Sequence, residues 1–512
     1  MLVKTYASAI YGVDAITITI EVNVIDKGIG YSIVGLPDKA VQESLHRIES
    51  AFGESKFKLK RLKTIINLAP ADIRKEGSAF DLPMAIGILA ASGQIPDDKL
   101  SDYIFMGELS LDGGLQPIKG ALPIAIQARK EGYKGMILPK VNAKEAAIVK
   151  DLEVIGAENL SEVTGYLSGH ITIEPTIVNT RDEFFNNLEY LEHDFADVKG
   201  QENIKRALEI AAAGGHNVIL IGPPGAGKTM LAKRLPSILP PLTLHEALET
   251  TKIHSVAGRL TNNIGLVYER PFRSPHHTIS DVALVGGGSH PQPGEISLAH
   301  HGVLFLDELP EFKRSVLEVM RQPMEDREVT ISRSKFTVDY PASFMLIASM
   351  NPCPCGFYNH PEKECTCAPG VVQRYLNKIS GPLLDRIDLH VEVTPVDLKE
   401  LSSNKKSESS KHIRQRVIEA RQRQSKRLEE EEVHCNAQMN TPLTRELCVL
   451  SDSCQSLLNK AMERLGLSAR AYERILRVSR TIADLDASTD IQVQHLAEAI
   501  QYRSLDRDNW AG

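Results

Sequence analysis

The sequence predicts a multidomain α/β protein, and three observations carry that prediction. The chain has 512 residues, enough for about three domains at roughly 150 residues each. Apolar residues make up 42% and charged residues 24%, a balance typical of globular proteins. Strand-like and helix-like segments alternate over residues 1–170 and 196–395, whereas residues 441–503 have helical patterns only.

The composition limits the classes of function. A net charge of −7 excludes a global basic field, so nucleic-acid binding needs local basic patches or a pore formed by assembly. The N-terminal segment has no apolar core of signal-peptide length, because Asp14 interrupts it, and no run approaches the ~20 apolar residues of a membrane span. We therefore expect a cytoplasmic protein with no membrane partner.

The first 170 residues have the alternation of an α+β domain. Strands are predicted at 16–24, 64–68, 136–138 and 154–155, helices at 38–52, 80–91 and 120–131, and a hairpin over 105–115. Within them, KEGSAFDLPMAIGILAASG (75–93) and GELSLDGGLQPIKGALPIAIQARKEG (107–132) resemble the proteolytic domain of Lon proteases.

The Lon resemblance implies a fold without the Lon chemistry. Lon proteases use a Ser–Lys dyad; Ser78 falls at the position of the nucleophile, but Leu122 falls at that of the lysine. A leucine cannot accept the serine proton, and Lys119 would project from another side of the helix start. We expect Ser78 to be the N-cap of the helix that follows it.

The stretch VILIGPPGAGKTM (218–230) predicts a nucleotide site. It fits G-x-x-x-x-G-K-[ST], with an apolar strand before the loop and an amphipathic helix after it. Backbone amides of such a loop surround phosphate oxygens. We expect Lys228 to reach the β- and γ-phosphates and Thr229 to hold Mg²⁺, with ATP as the nucleotide. The predicted nucleotide-binding residues are Gly222, Pro223, Pro224, Gly225, Ala226, Gly227, Lys228, Thr229, Met230 and Asp307.

Two further apolar strands end in polar groups suited to hydrolysis. VLFLDE (303–308) predicts a Walker B strand, in which Asp307 binds Mg²⁺ and Glu308 orients the attacking water. FMLIASMN (344–351) ends in an amide, Asn351. A buried strand ending in an acidic turn is common by itself, but downstream of the phosphate loop it indicates an ATPase.

Four of the seven cysteines are clustered in a Pro/Gly-rich stretch. Cys353, Cys355, Cys365 and Cys367 have the spacing C-x-C-x9-C-x-C. Four thiolates suit a tetrahedral zinc site, with His360 as a substitute ligand. A redox cluster or a chance arrangement is the alternative.

Residues 272–302 and 327–344 are long insertions around the Walker B strand. The second alternates as a β-hairpin with Arg333 and Lys335 at its tip, which predicts either DNA phosphate contacts or a solvated turn. The adjacent pairs His276–His277 and His300–His301 lack the usual ligand spacing and are interpreted as structural. Residues 411–427 form a basic helix, which we interpret as solvated and balanced by the acidic run 429–432 rather than as a DNA contact.

Residues 196–395 resemble the core of AAA+ ATPases of the Mg-chelatase type. The resemblance implies that Asn351 is sensor 1, that Arg386 in LLDRID (383–388) is an arginine finger acting on a neighbouring subunit, and that Arg470 is sensor 2. The catalytic set is then Glu308, Asn351, Arg386 and Arg470. The alternative for Arg386 is an ion pair with Asp385 or Asp388.

The whole chain resembles the bacterial ComM/YifB family. The predicted order is a Lon-like domain (1–170), a connector (171–195), an AAA+ core with β-hairpin insertions and the zinc loop (196–395), a linker with the basic helix (396–440) and a helical lid (441–512). The resemblance implies a homo-oligomeric ring, expected to be a hexamer, that uses Mg-ATP to drive DNA branch migration in recombination and natural transformation. The alternatives are a chelatase-type motor acting on a protein partner, a Lon-like protease, which Leu122 disfavours, and a non-catalytic scaffold.

Overall fold

The computed structural model describes residues 1–25, 28–58, 62–179, 184, 193–260, 265–288, 291–333, 336–360, 362–395, 407–431 and 433–503. Residues 180–183 and 185–192 of the predicted connector therefore lie outside the described residues, as do residues 396–406 of the predicted linker and residues 504–512 of the predicted lid. Within the described ranges, no helix combines the length and the apolar character needed to cross a bilayer.

The N-terminal part is built on a seven-stranded mixed sheet with the order β3-β4-β2-β1-β5-β8-β9. Its strands are β1 (Leu2–Tyr11), β2 (Asp14–Ile25), β3 (Gly30–Val34), β4 (Lys63–Ala69), β5 (Tyr103–Phe105), β8 (Gly135–Pro139) and β9 (Glu153–Ala157), with a separate hairpin of β6 (Glu108–Leu109) and β7 (Leu115–Gln116). Its helices are α1 (Lys39–Glu54), α2 (Asp81–Ala91), α3 (Ala121–Lys130), α4 (Lys140–Ala146) and α5 (Leu160–Leu167). Each strand, helix and hairpin predicted for this region is present.

Helix α2 explains why this domain folds around one core. All of its residues are buried, so it is a central helix rather than an amphipathic surface helix. The expectation that Ser78 caps it is wrong. Ser78 lies one short 3-10 turn earlier, the N-cap position is Phe80, and the Ser78 hydroxyl donates to the Glu108 carboxylate instead.

The central part contains a five-stranded parallel sheet with the order β11-β14-β17-β10-β18. Its strands are β10 (Val218–Ile221), β11 (Phe272–Arg273), β14 (Val303–Leu306), β17 (Met345–Met350) and β18 (Leu389–Glu392), and two small hairpins pair β12 (Gly286–Gly287) with β13 (Gln292–Pro293) and β15 (Glu328–Arg333) with β16 (Phe336–Pro341). The helices here are α6 (Glu202–Gly214), α7 (Lys228–Arg234), α8 (Leu244–Val256), α9 (Asp281–Val285), α10 (Glu295–Leu298), α11 (Arg314–Val319), α12 (Arg321–Asp326), α13 (Val371–Leu376) and α14 (Gly381–Leu384).

The C-terminal part is helical, as predicted. It comprises α15 (Ser410–Arg427), α16 (Thr441–Leu447), α17 (Asp452–Leu465), α18 (Ala469–Leu485) and α19 (Val493–Gln501). These helices share one buried core with α6 and with strands of the parallel sheet. The chain is thus a mixed α/β, multidomain protein with a parallel-sheet core and a helical C-terminal region.

The basic helix α15 is not the solvated helix that the charge pattern predicts. Arg416 pairs with Glu209 and Glu408, and Arg427 Nη2 lies 2.7 Å from Asp484 Oδ2. Other arginines of α15 donate to main-chain carbonyls of the ATPase core and of α18. The helix therefore packs against the rest of the chain, and apart from Glu408 the partners named here come from distant parts of the chain rather than from the acidic run 429–432.

Helix α8 joins the N-terminal domain to the part of the chain built on the parallel sheet. Ala247 of this helix is fully buried within the hydrophobic cluster of the N-terminal domain. At the other end of α8, the N–H of Gly120 donates to Ser255 O over 3.2 Å. The carboxylate of Glu145 accepts both the Leu122 N–H, at 2.9 Å, and the Ser255 hydroxyl. Burial raises the pKa of Glu145, and these donors compensate for its lost hydration.

A second contact links the N-terminal domain to the hairpin β15–β16. Tyr11, at the end of β1, donates its hydroxyl to Thr337 O over 2.9 Å. Nearby, Lys252 Nζ of α8 lies 3.1 Å from Asp14 Oδ1. The turn between β1 and β2 therefore lies against the insertion that carries the predicted DNA-binding residues.

Candidate nucleotide site and four-cysteine loop

The phosphate-loop residues, Asp307, Glu308 and Asn351 lie at the carboxyl ends of β10, β14 and β17, whereas Arg386 and Arg470 do not reach this edge. The chain leaves β10 toward β11 on one side of the sheet and returns to β18 on the other, so the strand order reverses there. Open parallel sheets bind ligands at such a point. The turn after β10 uses Gly225 and Gly227, whose φ angles of +79° and +84° favour glycine.

The side chain of Lys228 lies within the phosphate loop. Its Nζ donates to Gly222 O at 2.7 Å, Pro223 O at 2.9 Å and Asn351 Oδ1 at 3.1 Å. Burial lowers the pKa of Lys228, and the carboxylates of Asp307 and Glu308 act in the opposite direction. Asn351 therefore stands beside the loop lysine, where its amide can contact a terminal phosphate.

Thr229 and Asp307 form the second half of the site. The Thr229 hydroxyl donates to Asp307 Oδ2 over 2.7 Å. A hydroxyl and a carboxylate side by side are the oxygen ligands that Mg²⁺ takes beside nucleotide phosphates. These two side chains fit the magnesium ion that the motif implies. Met230, the next residue after Thr229, is 38% exposed and lies at the edge of the site.

Glu308 occupies a conformation that few residues adopt. Its φ is +55°, which turns the chain sharply after β14 and directs a side chain that is 58% exposed away from the strand. His277 Nδ1 lies 3.8 Å from its carboxylate. An exposed carboxylate next to the magnesium ligand is suited to orient a water molecule.

Arg386 is buried in the single chain, with a side chain only 7% exposed. Its Nη2 lies 2.6 Å from Glu325 Oε1, and Nη1 donates to Pro382 O over 2.6 Å. The alternative partners suggested by sequence are wrong, because Asp388 pairs with Arg474. The role of Arg386 as an arginine finger stays a prediction. In that role its guanidinium would have to leave Glu325 and contact a nucleotide phosphate of a neighbouring subunit.

Arg470 is the second residue of helix α18, and its side chain is 59% exposed. Its Nη1 lies 3.6 Å from Asp385 Oδ2, beside the segment that carries Arg386. Its predicted contact with the γ-phosphate stays a prediction.

One of the two predicted DNA-binding residues belongs to the hairpin β15–β16 as the structure describes it. Arg333 is the last residue of β15, and Lys335 lies outside the described residues. The hairpin pairing that the alternation predicts is present, from Glu328↔Pro341 to Arg333↔Phe336.

The four clustered cysteines converge. One sulfur from each of Cys353, Cys355, Cys365 and Cys367 lies within 4.8 Å of the others. Three of the S–S separations are 3.3, 3.5 and 3.8 Å, and four sulfurs bound to zinc at about 2.3 Å lie about 3.8 Å apart. The donor set and its spacing fit a tetrahedral zinc ion. His360 is not part of this cluster; its Nδ1 accepts the N–H groups of Glu362 and Lys363.

The cysteine loop touches the phosphate loop. Gly356 has a φ of +85°, and a Cβ at this position would lie 2.4 Å from Pro224 Cδ. Only glycine lets the two loops approach so closely. Since Cys353 follows Asn351 by two residues, the cysteine loop borders the nucleotide site through both Asn351 and Pro224.

Comparison with known proteins follows the same division of the chain. Models of the magnesium chelatase subunit ChlI match residues 20–142 and 194–401, and a model of the ChlI C-terminal region matches residues 407–503. The competence protein ComM of Haemophilus influenzae is 44% identical over 509 residues, which cover 99% of this chain and 98% of that protein. The chain belongs to the ComM/YifB family of Mg-chelatase-like proteins. The Escherichia coli YifB protein is 45% identical over 508 residues, 98% of this chain and 97% of YifB.

Membership in the ComM/YifB family makes this chain an AAA+ protein and indicates ATPase activity. The Lon protease 2 of Bacillus subtilis is 32% identical over 157 residues, 28% of this chain and 27% of that protein. In this ComM/YifB-family chain, Leu122 is fully buried, and its segment packs on α8. No group at that position is able to take the proton of Ser78.

His300 and His301 of this ComM/YifB-family chain each take part in a hydrogen bond. Glu249, His300 and His301 bring one ligand atom each within 4.8 Å. However, His300 Nδ1 accepts the N–H of Ser343 at 3.0 Å, which leaves the ring proton on Nε2, the nitrogen facing Glu249. A protonated nitrogen cannot bind a metal, so this geometry favours the structural interpretation.

One residue of the nucleotide site was missed by sequence reasoning. Ser349, two positions before Asn351, donates its hydroxyl to Asp307. A serine within an apolar strand that ends at a catalytic edge is the signal that could have identified it.

Proposed function

We propose that this chain assembles into a hexameric ring in the cytosol and uses Mg-ATP to move branched DNA during recombination and natural transformation. The observation that carries the ATPase step is the pair of contacts Lys228–Asn351 and Thr229–Asp307 at one sheet edge. The DNA part is supported by full-length similarity to a competence protein and by two basic residues of the sequence, Arg333 and Lys335. With a net charge of −7, such residues must converge in a ring to attract a strand.

The test of this proposal is junction movement by the purified full chain. We expect ATP or a slow analogue to promote ring assembly and salt-sensitive DNA binding, and ATP hydrolysis to shift a four-way junction. The Arg333→Ala/Lys335→Ala variant should hydrolyse ATP at its basal rate but lose DNA stimulation and junction movement, because phosphate contacts are lost.

The matched control is Arg129→Ala/Lys130→Ala, which removes the same charge at the end of α3. It should behave like the parent chain. A ring that hydrolyses ATP yet neither binds nor moves any forked or four-way DNA would contradict the DNA proposal.

The second candidate is a chelatase-type motor that acts on a protein partner. It is favoured by the matches to three ChlI models. In that case ATP turnover should respond to a protein partner and be indifferent to DNA.

We further propose that the four cysteines hold one structural zinc ion per chain. Metal analysis of the purified protein should give one zinc, and Cys353→Ser/Cys355→Ser should give none. Nucleotide affinity should fall as well, because the cysteine loop packs against Pro224. Cys448→Ala, a buried cysteine of the lid, is the control that should retain the metal. Full zinc content in the double variant would refute the assignment.

A further inference from the structure

The carboxylate of Asp307 is held from several sides. Oδ2 accepts the Thr229 hydroxyl at 2.7 Å. Oδ1 accepts the N–H of Glu308 at 3.0 Å and also the hydroxyl of Ser349. Thr229 is itself a predicted magnesium ligand, so its hydroxyl is expected to turn toward the ion when magnesium binds. Ser349 is the side chain that holds the carboxylate independently of Thr229.

The strand pairing of the sheet brings Ser349 next to Asp307. Strands β14 and β17 are parallel neighbours, with Leu306 opposite Ala348, so the next residues of both strands reach the carboxyl edge together. On its other side, Ser349 is opposite Leu220 of β10, the strand that leads into the phosphate loop. Ser349 is fully buried, so its hydroxyl does not compete with solvent for Asp307.

We propose that Ser349 is a positioning residue that sets the orientation of Asp307 for magnesium. This inference rests on the proposed Mg-ATPase function. A carboxylate free to rotate about its Cβ–Cγ bond presents its oxygens to the ion only part of the time. A hydrogen bond to Oδ1 leaves Oδ2 directed at Thr229 and the magnesium position. Hydrogen-bond partners of metal ligands typically change metal affinity by about 10- to 100-fold when they are removed.

A purely structural role for the hydroxyl makes a different prediction. If Ser349 only satisfied its own buried hydroxyl, its loss would lower thermal stability without changing the effect of magnesium on nucleotide binding. The structure offers a matched control in Ser297, which is also fully buried and whose hydroxyl has no hydrogen-bond partner among the described residues.

The experiment measures binding of a fluorescent ADP to the full-length chain in EDTA and across a Mg²⁺ titration. For Ser349→Ala and Ser349→Cys we expect an unchanged affinity in EDTA and a Mg²⁺ midpoint raised by about 10- to 100-fold. Ser349→Thr, which keeps the hydroxyl, should restore the parental midpoint, and Ser297→Ala should match the parent. Thermal unfolding checks that each variant is folded.

The outcomes separate this inference from the proposed function. A parental Mg²⁺ midpoint in either folded variant that lacks the hydroxyl would overturn the role of Ser349 and leave the ATPase proposal intact. If the parent chain bound no nucleotide in the presence of Mg²⁺, the ATPase proposal itself would fail, and the inference with it.

Discussion

Replacing Glu308 with glutamine should leave ATP binding intact and slow hydrolysis by about 10²- to 10⁴-fold, the usual contribution of a positioned base. The glutamine side chain has the same size as the glutamate that it replaces. The substitution does not alter the backbone, so the φ of +55° at this position is retained. Only the ability to polarise a water molecule is lost. Lys228→Ala should instead abolish nucleotide binding, because the ammonium group lies within the loop.

Single-turnover hydrolysis and nucleotide titration measure the two effects separately. The control is Glu311→Gln, which removes a carboxylate from the same turn, 44% exposed and paired with Lys378. It should retain the parental rate. Parental turnover by Glu308→Gln would show that the Walker B assignment is wrong.

Replacing Arg386 with alanine should lower turnover by about 10³- to 10⁵-fold, the range for an arginine finger. In the single chain the Arg386 side chain is 7% exposed, and its guanidinium pairs with Glu325. Assembly must therefore offer it a phosphate of the neighbouring subunit in place of that carboxylate. Mixing Arg386→Ala with Lys228→Ala subunits should restore activity, since some interfaces then pair an intact loop with an intact finger.

Mixed assembly is verified by differently tagged subunits before turnover is measured. Arg374, exposed on the neighbouring helix α13, provides the comparison. Arg374→Ala should keep parental turnover. If mixed rings show no recovery, or if Arg374→Ala rather than Arg386→Ala abolishes turnover, the trans role of Arg386 is refuted.

Features with local causes were predictable from sequence. An apolar strand, a glycine turn and a helix start occupy consecutive residues at 218–230, so spacing alone predicts the phosphate loop. The alternation of apolar and polar residues likewise predicts the hairpin β15–β16. Four cysteines within 15 residues are close in sequence, which favours their being close in space. The Ser78 cap failed because the chain inserts a short 3-10 turn before α2, which apolar periodicity does not reveal.

Long-range pairing was decided by the tertiary structure. The charge pattern predicts that α15 is balanced by the acidic run 429–432. In the folded chain, Arg416 instead pairs with Glu209 and Arg427 pairs with Asp484. Arg386 pairs with Glu325, whereas the nearby Asp388 pairs with Arg474. Such choices depend on which oppositely charged groups packing brings together, and each basic residue had several candidates in the sequence.

By itself, the sequence determined that this chain has a phosphate loop, an apolar strand that ends in a carboxylate predicted to bind magnesium, and a four-cysteine cluster, because each consists of residues close together in the chain. Only the tertiary structure decided that Ser349 holds Asp307, that the cysteine loop borders Pro224, and that α8 lies in the core of the N-terminal domain. These contacts join residues that are tens to hundreds of positions apart. They follow from sheet order and close packing, which local patterns do not specify.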